Sequence, residues 1–252
     1  MLLLSTVSFA GYGLHRIFEF AKQSGYDWIE LVLNKKNFDF WDEEYVEKLS
    51  KQSGVPVLSI KAPKRAINEK IVDSIVSLAL RLWTQNITFT PPHYRDKNVS
   101  WYLKYLAKVK RDTHLSISVE NVEPKFAFFI IPEYKDATLM QIKKVTWDTV
   151  LDISATSPAT WSDILKVQKI LWSSMKNIAF SDTHGPKKGL LPGQAWGWTS
   201  YLPLESFLMK LKASAYNGFI TLEISPRELW VWTNEKITQN LEYFKNYYKK
   251  HF

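Results

Sequence analysis

The sequence has no cysteine among its 252 residues, so it can form neither disulfide bonds nor thiolate metal ligands. This fits a reducing compartment, and the cytoplasm is the expected location. No stretch of about 18 or more uncharged apolar residues is present, so we expect no membrane span. The opening Met1-Leu-Leu-Leu lacks the basic segment of a signal peptide, and we interpret it as a buried strand.

The composition is that of an ordinary globular protein, with 46% hydrophobic and 23% charged residues. A chain of this length can bury a large core by itself, and we expect a single domain over residues 1–252. The net charge of +8 favours the approach of phosphates, nucleic acid or anionic substrates. Many basic residues, such as Lys104 and Lys108, fall at helix-like positions where they are expected to form a solvated face.

Short apolar runs alternate with segments of helical periodicity, a pattern typical of successive βα units. The predicted strands are residues 2–9, 28–33, 56–60, 87–90, 115–119, 149–153, 178–180 and 219–224. The predicted helices are residues 15–24, 43–53, 68–83, 101–110, 162–175 and 204–213. Successive strand ends recur roughly thirty residues apart, the length of one βα unit.

Eight such units predict a single (β/α)₈ TIM barrel, because parallel strands with right-handed crossovers can close into a sheet without an edge. The competing fold is a doubly wound open sheet, which favours a Gly-x-Gly-x-x-Gly turn after the first strand. The turn here reads AGYGLH from Ala10 and lacks that spacing. The barrel is therefore the preferred interpretation, and it predicts a functional site at the carboxyl ends of the strands.

Four acidic residues close otherwise apolar runs, and in a barrel their side chains can converge on the axis. They are Glu120, Asp152, Asp182 and Glu223. Several carboxylates in one place repel one another, so a bound cation is expected, and oxygen ligands suit Mg²⁺ or Mn²⁺ better than Zn²⁺. The alternative is that these acids pair with Lys61, Arg227 or backbone amides and bind nothing.

Other candidate residues lie near the predicted strand ends. Lys61, His93, Asn121 and Arg227 are candidates for substrate binding, and His184 for acid–base catalysis. The Gly- and Pro-rich segment 183–198 is long enough to border the site, and its Trp196 and Trp198 can stack on a sugar ring. Glu30 lies inside its own predicted strand and is expected to face the helices.

Several motifs resemble the xylose isomerase-like barrel superfamily. Residues 24–31, SGYDWIEL, resemble its second-strand signature, and residues 214–224, SAYNGFITLEI, are similar to its last helix-turn-strand. Val119-Glu-Asn resembles its fifth-strand Glu-Asn, and Leu151-Asp-Ile its sixth-strand aspartate. The resemblance spans nearly the whole chain and implies the barrel fold with a divalent-metal site; the superfamily includes sugar isomerases, ketose epimerases, inosose dehydratases and endonuclease IV-like repair enzymes.

The resemblance implies that Glu120, Asp152 and Glu223 are three of the usual four metal ligands, and that Glu223 also acts as the base in proton transfer. The fourth ligand is normally a histidine in a His-x-x-Asp pattern, but the corresponding stretch begins with Ala179 and ends with Asp182. Ala155 and Thr90 likewise stand where histidines are common. A repair endonuclease with several zinc ions needs those histidines, so this departure weakens the nuclease interpretation.

Three functions follow as hypotheses. The first is a metal-dependent isomerase or epimerase of a sugar or polyol, with Glu223, Glu120 and His184 in catalysis. The second is a degenerate barrel that binds a carbohydrate, an anion or a partner without turnover, and the third is action on abasic DNA. The sequence predicts no oligomeric state.

Overall fold

The structure is a computed structural model that describes residues 1–65, 67–96, 99–127, 130–135, 138, 140–141, 144, 148–156, 163–184, 187–194, 202–229 and 233–252. Eight parallel strands close into a barrel in the order β1-β8-β7-β6-β5-β4-β3-β2. The strands are β1 Leu2–Ser5, β2 Trp28–Val32, β3 Val57–Lys61, β4 Asn86–Phe89, β5 Ser116–Glu120, β6 Asp148–Asp152, β7 Met175–Phe180 and β8 Phe219–Leu222. The predicted TIM barrel is confirmed.

Helices surround the barrel. In the described residues they are α1 Leu14–Gln23, α2 Glu43–Ser53, α3 Glu69–Arg81, α4 Val99–Asp112, α5 Ile164–Leu171, α6 Leu204–Ala213, α7 Pro226–Leu229 and α8 Asn234–His251. Side-chain caps fix where three of them begin, because Asp42, Asn68 and Asp163 each accept a bond from a backbone N–H in the first turn. Within the described part of the chain, no helix combines the length and apolarity needed to cross a membrane.

The main core lies between the strands and the helices. Large side chains such as Phe18, Phe207 and Phe244 are at most 1% exposed there and pack against the outward-facing strand residues. Fully burying one such side chain contributes roughly 1.5–3 kcal/mol, so this shell supplies most of the driving force for folding. The apolar stripe of each helix therefore holds the barrel closed and fixes the positions of its strand ends.

The inside of the barrel is polar at mid-height. Its inward-facing buried residues include Ser5, Glu30, Ser59, Asn86, Ser118, Asn177 and Thr221. They are joined by hydrogen bonds, as when Asn86 accepts from Ser118 Oγ at 2.6 Å and Asn177 accepts from Thr221 Oγ1 at 2.9 Å. The expectation that Glu30 faces the helices was wrong, since its carboxylate accepts bonds from Ser5, Ser59 and Asn177. The alternation of β2 turns Glu30 inward.

Several element boundaries differ from the sequence prediction, and those of the first and last strands and the segment after β7 bear on the site. The first strand ends at Ser5, and a 3-10 turn, Thr6–Phe9, follows where strand was expected to residue 9. The last strand ends at Leu222, so Glu223 lies just beyond it. The long segment after β7 begins as an antiparallel hairpin, in which Asp182–His184 pairs with Lys187–Leu190. The hydrophobic periodicities that predict helices and strands do not indicate this pairing.

Candidate functional site

A buried lysine occupies the centre of the barrel at the carboxyl ends of the strands. Lys61 is the last residue of β3, and its side chain is only 4% exposed. Its Nζ donates to Glu120 Oε1 at 2.6 Å and to Glu223 Oε2 at 2.8 Å. One ammonium thus bridges two carboxylates that are far apart in the sequence and lie at the carboxyl ends of different strands.

The two bridged carboxylates differ in environment. The Glu120 side chain is 3% exposed, and burial raises the pKa of this carboxyl to about 7 against the attraction of Lys61. The Glu223 side chain is 22% exposed. Burial also acts to raise the pKa of Glu223, but the charge and hydrogen bond of Lys61, with the charge of Lys64, outweigh it and lower that pKa. At neutral pH, Glu223 is therefore a carboxylate, while Glu120 can hold a proton.

Asp152 completes the group of acids, and burial raises its pKa, with repulsion from Glu223 adding to the shift. Its Oδ1 accepts from Ser154 N at 2.8 Å and from Ser154 Oγ at 2.7 Å. The attractions of Glu120, Glu223, Glu30 and Asp152 together overcome burial and raise the pKa of Lys61 well above its ordinary value. We call Lys61, Glu120, Asp152 and Glu223 the strand-end cluster.

Glu30 lies in the polar layer below the strand-end cluster, because Ser59, its hydrogen-bond partner, precedes Lys61 by two residues on the same face of β3. Burial raises the pKa of Glu30 to about 7, opposed by the charge of Lys61. Glu30 was not predicted to take part in the site, although an acidic residue within the apolar run of β2 is a signal that could have indicated such a role.

Asn121 has both polar atoms of its side chain engaged with the neighbouring strand. Its Oδ1 accepts from Asp152 N at 2.6 Å, and its Nδ2 donates to the Asp152 carbonyl at 3.1 Å. These bonds tie the ends of β5 and β6 together. Asn121 also lines the cavity, and its bonds to the backbone position Asp152.

Asp182 is the predicted metal ligand that lies apart from the cluster. Its two carboxylate oxygens accept from the backbone N–H groups of Thr183 at 2.8 Å and Gly193 at 3.0 Å, which shapes the segment after β7. His184 is half-buried in the same hairpin. Neither is among the described residues that line the cavity.

The remaining predicted residues lie outside the cavity or outside the described residues. His93 is buried, accepts from Arg95 N at 3.2 Å, and contacts the rings of Tyr94 and Tyr134. Arg227 is exposed on α7, one residue from the cavity wall. Trp196 and Trp198 lie outside the described residues.

A cavity of about 500 Å³ opens above the cluster and is lined by Glu120, Asp152 and Glu223. Its rim was not predicted from the sequence and carries the cations Lys64, Arg65, Lys125 and Lys188. Arg65 pairs with Glu133, and Lys188 pairs with Glu123 at 2.9 Å. The volume falls in the range of small-molecule sites and suits a ligand rich in hydroxyl groups, which carboxylates and ammonium groups bind by hydrogen bonds.

Comparison with known proteins supports this architecture. A crystal structure of the IOLI protein with a bound zinc atom superposes with a TM-score of 0.74 at 16% identity, covering 100% of this chain and 99% of the other. A family 2 AP endonuclease from Brucella melitensis gives 0.74 at 15% identity and 98% of each chain. A D-tagatose 3-epimerase-like protein gives 0.67 at 16% identity, again over 98% of each. The chain has the TIM-barrel fold of these proteins.

Proteins of mycobacteria are similar to this chain in sequence. An uncharacterized protein of Mycobacterium leprae is 23% identical, over 97% of this chain and 96% of its own length. An uncharacterized protein of Mycobacterium tuberculosis is 28% identical, over 48% of this chain and 46% of its own length. None of the protein-family models matches the chain. The resemblance in the motifs is therefore confirmed at the level of the fold.

The divalent-metal site that the motif resemblance implies does not fit the side chains present. Lys61 already holds Glu120 and Glu223, and Asp182 is engaged with backbone amides. In the described part of the chain, no three histidine, cysteine, aspartate or glutamate side chains are arranged to hold a metal ion. The predicted ligand set of Glu120, Asp152, Asp182 and Glu223 is thus not assembled, because a side-chain cation lies among its members.

Proposed function

We propose that this protein is an isomerase or epimerase of a sugar or polyol, in which Glu223 and Glu120 transfer protons. The observation that carries the proposal is the bridged pair of carboxylates lining a polar cavity of about 500 Å³ at the carboxyl ends of the barrel strands. In barrels of this type, chemistry takes place at that end. The epimerase-like protein of the same fold also supports it.

The two glutamates are suited to complementary steps. Glu223, the more exposed carboxylate, takes the proton from the carbon beside the carbonyl, and the electron pair of that C–H bond moves toward the carbonyl oxygen. In epimerisation, protonated Glu120 then gives its proton to the opposite face of the same carbon. In isomerisation, Glu120 gives its proton to the carbonyl oxygen to form an enediol, the neighbouring hydroxyl returns a proton to Glu120, and Glu223 delivers the proton it took to the former carbonyl carbon. Lys61 donates to both, so it holds their orientation while charge passes between them.

Lys64 is placed to stabilise the negative charge that develops on the substrate oxygen. It lines the cavity, and its positive charge acts to lower the pKa values of Glu120, Asp152 and Glu223. No ion pair engages Lys64 within the described residues, in contrast to Arg65 and Lys188. A cation beside the substrate oxygen lowers the barrier to enolate formation.

The test is a screen of aldoses, ketoses and inositols in D₂O, with deuterium incorporation and stereochemical change read by mass spectrometry and NMR. We expect exchange at the carbon beside the carbonyl, reduced by roughly 100- to 10,000-fold in Glu223→Gln and in Glu120→Gln. Glu47→Gln on the outer helix α2 is the matched control and should keep full activity. No exchange with any compound in the screen would refute the proposal.

A second candidate function is binding of the same class of ligand without turnover. The contacts of Lys61 favour this second function, because a buried ammonium that holds two carboxylates in place also fixes them as hydrogen-bond acceptors for a ligand. Calorimetric binding of a sugar or polyol without deuterium exchange would establish this function in place of catalysis.

Action on abasic DNA is the weakest of the three hypotheses. The described cavity wall contains the carboxylates Glu120, Glu123, Glu133, Asp152 and Glu223 beside its four cations, so it is not a basic surface for phosphates. DNA action predicts binding that falls steeply with salt and cleavage of an abasic duplex, and both are simple to measure.

A further inference from the structure

We infer that the Lys61 ammonium takes the place of a divalent cation among the strand-end carboxylates, so that this barrel works without a metal and shortening Lys61 uncovers a metal site. The inference concerns the electrostatics of the site and stands whether or not the protein is an isomerase. It begins from the position of Lys61 Nζ, which contacts Glu120 and Glu223 at 2.6 and 2.8 Å inside the barrel.

The charges of the cluster require a cation at this point. Glu120 is buried, Asp152 and Glu223 are partly buried, and Glu30 lies below them. Buried carboxylates without compensation are strongly unfavourable. Among the described residues, Lys61 is the one lysine or arginine in the buried interior, so it supplies the compensation that a bound ion would otherwise supply.

Lys61 and a divalent ion cannot share these oxygens. A divalent cation in an oxygen site lies about 2.0–2.6 Å from its ligands, within the space that Nζ already occupies between Glu120 and Glu223. The two cations would also repel each other strongly at such a separation. The buried side chain of Lys61 would have to leave the barrel interior before an ion could enter.

Removal of the Lys61 side chain should allow a divalent ion to bind at the cluster. Lys61→Ala leaves space for an ion between Glu120 and Glu223, which lose the ammonium that bridges them, and carboxylate oxygens suit Mn²⁺ or Mg²⁺. Bound Mn²⁺ then stabilises the folded variant by mass action. The wild-type protein, whose ammonium fills that position, should take up no Mn²⁺ at the cluster.

The experiment measures Mn²⁺ binding after dialysis against chelator, by loss of the free-ion EPR signal and by the thermal unfolding midpoint. With about 1 mM Mn²⁺, we expect a rise of about 5 °C or more for Lys61→Ala, and no rise for the wild type or for the surface control Lys51→Ala. Adding Glu120→Gln to Lys61→Ala should abolish the rise. Proposed activity in the wild type should be unchanged by EDTA.

Two results would overturn the inference. One is saturable Mn²⁺ or Zn²⁺ uptake by the wild type that Glu120→Gln removes, because it would place a metal beside Lys61. The other is a folded Lys61→Ala variant that takes up no Mn²⁺. If Lys61→Ala does not fold, the variant Lys61→Ala/Glu30→Gln, which carries one buried carboxylate fewer, is measured in its place. The Mn²⁺ titration of the wild type tests the inference independently of both variants.

Discussion

Replacing Lys61 by methionine removes the positive charge from the strand-end cluster while keeping a side chain of similar length. The methylene chain of Lys61 is buried, so methionine preserves much of its packing and the change isolates the loss of the ammonium. Glu120 and Glu223 then lose the donor that contacts them at 2.6 and 2.8 Å. Both carboxylates remain in the barrel mouth without their buried counter-charge.

Removing one partner of a buried ion pair costs about 3–5 kcal/mol in the free energy of unfolding. In a chain of this length, that loss lowers the thermal midpoint by roughly 6–20 °C. Lys51→Met is the matched control, since Lys51 is 75% exposed in its pair with Glu47 and such surface pairs contribute about 0–1 kcal/mol. Urea unfolding at pH 8, followed by tryptophan fluorescence and circular dichroism, measures both variants.

Two further measurements test the electrostatic cause. At about pH 5 the cost of Lys61→Met should shrink, because the orphaned carboxylates can take up protons. The double variant Lys61→Met/Glu120→Gln should recover part of the stability, since one uncompensated charge is gone. The reasoning is refuted if Lys61→Met and Lys51→Met lose equal stability, or if the cost of Lys61→Met is the same at both pH values.

Two other predictions concern Glu30 and Gly189. Burial raises the pKa of Glu30 to about 7 from an ordinary 4.5, so its contribution to stability is present below about pH 4.5 and is lost as the pH rises through about 7. In urea unfolding, the stability of Glu30→Gln minus that of the wild type should therefore be about 3 kcal/mol greater at pH 8 than at pH 5. The control Glu242→Gln, at an exposed position, should show no such difference between the two pH values. Gly189 has a φ of +74°, and an added Cβ would lie 2.6 Å from the backbone nitrogen of Ser225, so Gly189→Ala should cost about 2–3 kcal/mol. Gly54 has the same φ, but an added Cβ there would meet no atom within 4 Å, so Gly54→Ala should cost only about 1 kcal/mol. If thermal unfolding shows equal losses of stability for the two variants, the close approach of Ser225 to Gly189 is not the cause.

The barrel was predictable because its cause is local and repeats along the chain. Apolar runs such as residues 115–119 form buried strands, and the amphipathic segments between them form helices that cover the sheet. The closing acids Glu120, Asp152 and Glu223 could be placed at one end for the same reason, since parallel strands all point the same way. The predicted ends of the strands were less exact. Glu223 was predicted to lie within the last strand, but it lies just beyond the end of β8.

The partners of these acids could not be predicted in the same way. Lys61 was one of several cations that the sequence allowed near the site, and only the closed barrel brings its Nζ between Glu120 and Glu223. Asp182 ends an apolar run like the other acids, but its oxygens cap the backbone of the segment that follows β7. Contacts of this kind depend on the path that the chain takes after each strand, and the hydrophobic periodicity of the sequence does not predict that path.

The sequence by itself determined the repeat, the direction of the strands and the end of the barrel at which polar residues gather, because these follow from hydrophobic periodicity and the geometry of parallel crossovers. The tertiary structure decided which charges meet. Glu30 turns inward and Lys61 lies among the carboxylates because closure brings β2, β3, β5 and β8 around one axis. The balance of charge at that axis depends on distances between residues separated by up to 162 positions in the chain.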